Sequence, residues 1–147
     1  MITNIIGTYF CNTHNIVGTY QFEFMLRDVS FHEFFHAVYF VMKENKISSP
    51  KFVTWYNRIH KLYGKPNEEV NEENMADNFS LQMGIETYRT NNTLYRRGYF
   101  LTWTRTFCDQ YNSRVVTDHG SSFQRSTHPL FLMKPMIQSL FNCTFLR

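Results

Sequence analysis

The chain has 147 residues, 43% of them hydrophobic and 18% charged, with a formal net charge of +3. That length fits one domain, and the apolar share is enough for a packed core rather than a disordered chain. Lysine and arginine are scattered without a basic run, so no electrostatic footprint for nucleic acid is present.

In chain order, residues 1–24 lack helical periodicity. The segment "IVGTYQFEF" (residues 16–24) is rich in β-branched and aromatic residues and reads as a strand. The opening "MITNIIGTYFCNTHN" has no basic start and is broken by Asn and Thr, a poor match to a signal peptide. From about Met25 to Glu44 the pattern is helical. Phe31, Phe35, Val38 and Met42 share one face and Phe34 and Val41 widen it, which predicts a buried helix. Its longest strongly apolar run, Phe34 to Met42, is far too short to span a bilayer. The loop chemistry of "KISSP" predicts its end, with Pro50 completing the stop. A second amphipathic helix is expected over Phe52–Tyr63, stopped by Gly64. Pro66 and Asn67 suit the start of a third, whose acidic first turn faces the positive helix end and which continues through "MADNFSLQMGIETY". "LYRRGYFLTWTRTFCDQY" reads as a fourth helix, "NSRVVTDHGSSFQRSTHP" as a long polar loop, and "MIQSLFNC" as a short final helix. The expected fold is mainly α, with room for a short strand element at the amino terminus.

Within the first helix, "HEFFH" places His32 and His36 four residues apart, hence one turn apart on one face. Both rings can point a nitrogen at a single ion, and zinc accepts imidazole and carboxylate in a tetrahedral shell. Glu33 is displaced around the helix, placed to take a proton from activated water without ligating the metal. Two histidines on an apolar helix are also compatible with satisfied core residues. A catalytic zinc helix needs a third protein ligand, and "NEENMADNFS" supplies a candidate in Glu73, with Asp77 one turn further on the same face. Asp77 is then placed to hold the remote N–H of a liganding histidine. Glu68, Glu69 and Glu72 read as a solvated acidic first turn.

The two segments "HEFFH" and "ENMADN" together resemble the neprilysin family of zinc endopeptidases, which includes the endothelin-converting enzymes. "YFLTWTRTFCDQY" is similar to that family's aromatic helix, with Phe107 in place of a tryptophan, and "THP" followed by "SLFNC" resembles its carboxy-terminal segments. The similarity spans about residues 12–145, in order and with shortened connections. It implies a single partial domain over residues 1–147, equivalent to the carboxy-terminal part of the catalytic domain, with a zincin-type helical architecture. It implies one Zn2+ per chain, held by His32, His36 and Glu73. Glu33 would be the general base, Asp77 would orient His32, and His128 would stabilise the oxyanion. Peptides would be the substrates. The implied setting is extracellular or a plasma-membrane ectodomain, although the chain shows no signal peptide or transmembrane anchor. Localisation and oligomeric state are left open.

The departures from that pattern define an alternative. Tyr39 stands where the family has an aspartate three residues after the second zinc histidine, so His36 is expected to lack a supporting carboxylate. The substrate-binding arginine beyond the His-x-Pro segment is missing, Lys134 being the nearest basic residue. The family's Asn-Ala-aromatic stretch has only an echo in "NTHNIV". Cys11, Cys108 and Cys143 are odd in number, and the resemblance implies that the partners of Cys108 and Cys143 are absent. His14, His60 and His119 match no motif. The sequons at Asn78, Asn91 and Asn142 are those expected by chance in an Asn-rich chain. The second reading is therefore a catalytically weak or inert remnant that serves as a zinc-binding or interaction module. A third reading, an unrelated helical protein with a chance motif, is disfavoured by the pairing of the two segments.

Overall fold

The computed structural model describes residues 21–87, 93–109 and 121–142. Among these, six α-helices and no strand are found: α1 (Gln21–Glu44), α2 (Pro50–Leu62), α3 (Glu68–Thr87), α4 (Thr93–Asp109), α5 (Ser122–Leu132) and α6 (Lys134–Phe141). The expectation of a mainly α fold is met. None of the helices is long and apolar enough to cross a membrane.

Helix α1 starts at Gln21, so the last part of the expected strand is helical; residues 16–20 lie outside the described residues. The reason is tertiary. Phe24 is 3% exposed and meets the Tyr99 ring edge-on at 5.9 Å, while Arg27 pairs with Glu23 one turn earlier. Packing of that kind outweighs a weak local β preference. Pro50 does not end α1; it opens α2, where a missing N–H costs nothing. Ser49 caps that start by accepting the Phe52 N–H at 3.2 Å. Gly64 ends α2 at φ +80°, a conformation glycine enters without steric cost. Asn67 caps α3, its Oδ1 accepting the Val70 N–H at 2.9 Å, as its position predicts.

The expected loop over residues 112–129 is corrected in its second half, where α5 runs from Ser122 to Leu132. Ser121 and Gln124 form a reciprocal capping box: Ser121 Oγ accepts from the Gln124 N–H and Gln124 Oε1 accepts from the Ser121 N–H. Pro129 lies inside this helix and is buried.

Two aromatic-rich cores hold the helices. One gathers Phe24, Leu81, Ile85, Tyr99, Phe100 and Trp103 with Leu130, Met133, Ile137 and Leu140. The other gathers Phe35, Tyr39, Ile59, Tyr63, Met75 and Ala76. Helix α3 contributes to both and makes its most extensive contact with α1. The expectation that α1 is buried on most sides is corrected. Phe35 and Tyr39 are buried, but Phe34, Val38, Phe40 and Val41 are exposed, because α1 packs through one face only. Part of that packed face is polar: Asp28, His32 and His36 follow at four-residue intervals. Asn78 is 3% exposed and donates to Tyr63 Oη, so this sequon is out of reach of glycosylation in the folded chain.

Gly84 lets α4 approach α3. A methyl group there would collide with the Tyr99 ring, whose hydroxyl donates to Ser80 O and to Asp28 Oδ1. Gly84→Ala is expected to destabilise the fold by about 1–3 kcal/mol, in the overpacking range, despite the better helix propensity of alanine. Thermal unfolding followed by circular dichroism checks this.

Candidate metal centre

Helices α1 and α3 bring together the four residues singled out by their spacing. His32 Nε2 lies 3.1 Å from His36 Nε2 and 3.1 Å from Glu73 Oε2, and His36 Nε2 lies 3.3 Å from Glu73 Oε1. These three residues form a group able to hold a metal ion. The 3.1 Å between the two imidazole nitrogens suits it. Zinc bonds of about 2.0–2.1 Å at tetrahedral angles place neighbouring ligand atoms roughly 3.3 Å apart. The donors are partly buried, with side chains 16% (His32), 23% (His36) and 21% (Glu73) exposed, so the group is reachable from solvent.

Behind the ligand atoms stands a ring of charge. Asp77 Oδ1 lies 3.2 Å from His32 Nδ1, the position expected for it. Asp77 is itself gripped by Arg125, whose Nε and Nη2 donate to its two oxygens at 2.5 and 2.8 Å. Burial pushes the Asp77 carboxyl up, but hydrogen bonds from His32 and Arg125 outweigh it and hold the pKa below the usual value. Burial alone would lower the His32 pKa; hydrogen bonds to Asp77 and Glu73 raise it instead to about 10. A metal held by His32 Nε2 would have to displace any proton there, so its affinity would fall in acid.

Arg125 is the residue sequence reasoning missed. It lies on α5, in a segment read as a loop, and the capping box at Ser121 and Gln124 was the available signal. Lys134, the basic residue found by scanning beyond His128, is exposed at the start of α6. The structure does not bring His128 into the ligand group. Its ring meets Tyr63 edge-on at 4.5 Å, and burial lowers its pKa. It does share a face of α5 with Arg125, three residues earlier. Glu33 is exposed and makes no hydrogen bond or ion pair among the described residues. Glu72, assigned from sequence to a solvated first turn, instead reaches His36, its Oε1 standing 2.9 Å from His36 Nδ1. Glu68 and Glu69 are exposed as expected, Glu68 pairing with Lys43 at 2.7 Å. Tyr39 is 7% exposed and stacks on Phe35 at 5.7 Å. His60 is half-buried and stacks on Tyr56. His14, His119, Cys11 and Cys143, and the side chain of Cys108, lie outside the described residues, as does the sequon at Asn91. Asn142 is the exposed left-handed C-cap of α6.

Asp28 lies one turn before His32 and accepts from Tyr99 Oη at 3.1 Å. Burial, aided by the nearby Asp77 charge, raises its pKa to about 6, against the lowering effect of Ser80, Tyr99 and His32. The folded state thus binds this proton more tightly than the unfolded chain between about pH 4 and 6, and stability falls as pH rises through that window. Asp28→Asn keeps an acceptor for Tyr99 and carries no charge. It is expected to raise stability at pH 7 by on the order of 1 kcal/mol and to leave it unchanged near pH 3, measured by urea unfolding at both pH values.

Comparison with protein-family models, with curated proteins and with solved structures returned no match.

Proposed function

We propose that the chain is a neprilysin-like zinc metallopeptidase domain, a zincin-type helical unit that hydrolyses peptide bonds. One observation carries the reading: two helices whose ligands are separated by 37 positions in sequence, His36 to Glu73, bring one ligand atom each from His32, His36 and Glu73 within 4.8 Å of one another. A chance His-Glu-x-x-His segment would have no reason to meet a glutamate, and an aspartate one turn beyond it, on a facing helix.

Zinc bound there would polarise a peptide carbonyl and acidify water at the open fourth position. The chain's own residues supply the rest. Asp77, fixed by Arg125, holds His32 with Nε2 toward the ion. Glu33 accepts a proton from water and passes it to the departing amine. His128 shares a face of α5 with Arg125 and is the candidate donor to the developing oxyanion. Peptides are the substrate class, and the exposure of the donors leaves an approach for an extended chain.

A second reading, an inert zinc-binding or interaction module, is favoured by one observation. Arg125, the basic residue nearest the site in contact terms, has its guanidinium fork committed to Asp77 and is not presented to a substrate carbonyl. Native mass spectrometry of the purified chain, with hydrolysis of a quenched peptide, separates these readings. One zinc per chain with turnover supports the peptidase; one zinc without turnover selects the inert module; substoichiometric zinc overturns both.

A further inference from the structure

The two carboxylates Glu72 and Glu73 are consecutive in sequence and meet the same imidazole from opposite sides. Glu73 Oε1 lies 3.3 Å from His36 Nε2, and Glu72 Oε1 lies 2.9 Å from His36 Nδ1. A histidine that offers Nε2 to a metal must carry its proton on Nδ1, and an acceptor at Nδ1 fixes both the tautomer and the rotation of the ring. Among the described residues of α1 no carboxylate is available for this. Glu33 is exposed and displaced around the helix from His36, and the position three residues after His36 is the buried Tyr39. The support arrives from the facing helix instead. Helices α1 and α3 run antiparallel, with His32 against Asp77, His36 against Glu72 and Lys43 against Glu68. Each of these three residues of α1 thus meets an acid of α3.

We propose that Glu72 is the positioning residue of His36, the counterpart of Asp77 for His32. This rests on the zinc reading above but adds to it a residue that neither motif contains. The two supports differ in kind. Asp77 is 3% exposed and locked by Arg125, whereas the Glu72 side chain is 27% exposed and holds His36 from the solvent side.

Competition titrations with a zinc chelator, on the full chain, test this in three variants. Glu72→Ala removes the acceptor and should weaken zinc binding about 10–100-fold, the usual effect of losing an outer partner of a liganding histidine. Glu72→Gln keeps an amide oxygen at the same reach and should restore affinity to within a few-fold of wild type. Glu69→Ala removes an equal charge from the exposed side of the same helix and should leave affinity unchanged. Long-range proton–nitrogen spectra of the imidazoles supply a readout that a loss of packing would not imitate. They should show His36 as the Nδ1–H tautomer with a slowly exchanging proton in wild type and Glu72→Gln, and an averaged, fast-exchanging ring in Glu72→Ala. The spectra are recorded on metal-free chain as well, so the assignment to Glu72 is judged even if zinc does not bind, an outcome that would overturn only the functional reading. Equal affinity and an unchanged tautomer in Glu72→Ala would overturn the inference, as would an equal loss of affinity in Glu69→Ala.

Discussion

His36→Ala is expected to strip zinc from the chain while leaving the helices folded. Three protein atoms make up the donor set, and a tetrahedral site with one of them replaced by solvent water loses much of the chelate that makes binding tight. The loss should exceed the roughly 10–100-fold that follows removal of an outer support. The fold should survive, because His36 is 23% exposed and belongs to neither aromatic core, which is built at this level from Phe35, Tyr39 and Met75. The substitution also leaves Glu72 and Glu73 without their shared imidazole and increases repulsion between them, a modest effect at partly exposed positions. Native mass spectrometry counts the metal and circular dichroism reports the helices. Full zinc occupancy in His36→Ala would refute the ligand assignment. Glu73→Gln should behave in the same direction, since a neutral amide is a poor substitute for a carboxylate donor.

The parts of this site that were legible in the sequence are those fixed by helical repeat. His32 and His36, and Glu73 and Asp77, are pairs at i and i+4, and a helix of any kind must put each pair on one face. What spacing cannot provide is the docking of one helix on another. Glu72 looked solvated because its neighbours Glu68 and Glu69 are, yet the crossing of α1 and α3 turns it toward His36. Arg125 was hidden by a different cause. Its helix is short and polar, and its start is marked by a capping box rather than by apolar periodicity. Helix α1 ends at Glu44 as expected, but its start and its burial differ from the sequence reading. Its first turn is held by the contact of Phe24 with Tyr99, and its outer apolar residues are exposed although their pattern resembles that of a buried helix. Composition reports how apolar a helix is, but only tertiary packing decides which face is covered.

Glu33→Gln is expected to abolish peptide hydrolysis without changing zinc occupancy. Glu33 follows His32 directly and is rotated by about 100° around α1, since 3.6 residues make a turn. That rotation removes it from the ligand group, which contains His32, His36 and Glu73 only. It also leaves its carboxylate unpaired among the described residues and exposed, ready to accept a proton rather than held in an ion pair as Asp77 is. Once protonated it can return that proton to the leaving amine. Assistance of this kind is worth roughly 10²–10⁴-fold in rate. The amide of glutamine occupies the same volume and can still orient water but cannot take up the proton, so the rate should fall by that factor while metal content and unfolding temperature stay at wild-type values. Glu33→Gln and Glu73→Gln therefore separate two glutamates of one site: the first retains metal without turnover, the second loses both. Wild-type turnover in Glu33→Gln would assign the observed cleavage to another group or to a contaminant. A zinc-loaded wild type that cleaves nothing would instead place this chain with the inert zinc-binding modules, with the Arg125 fork locked on Asp77 as the first structural reason.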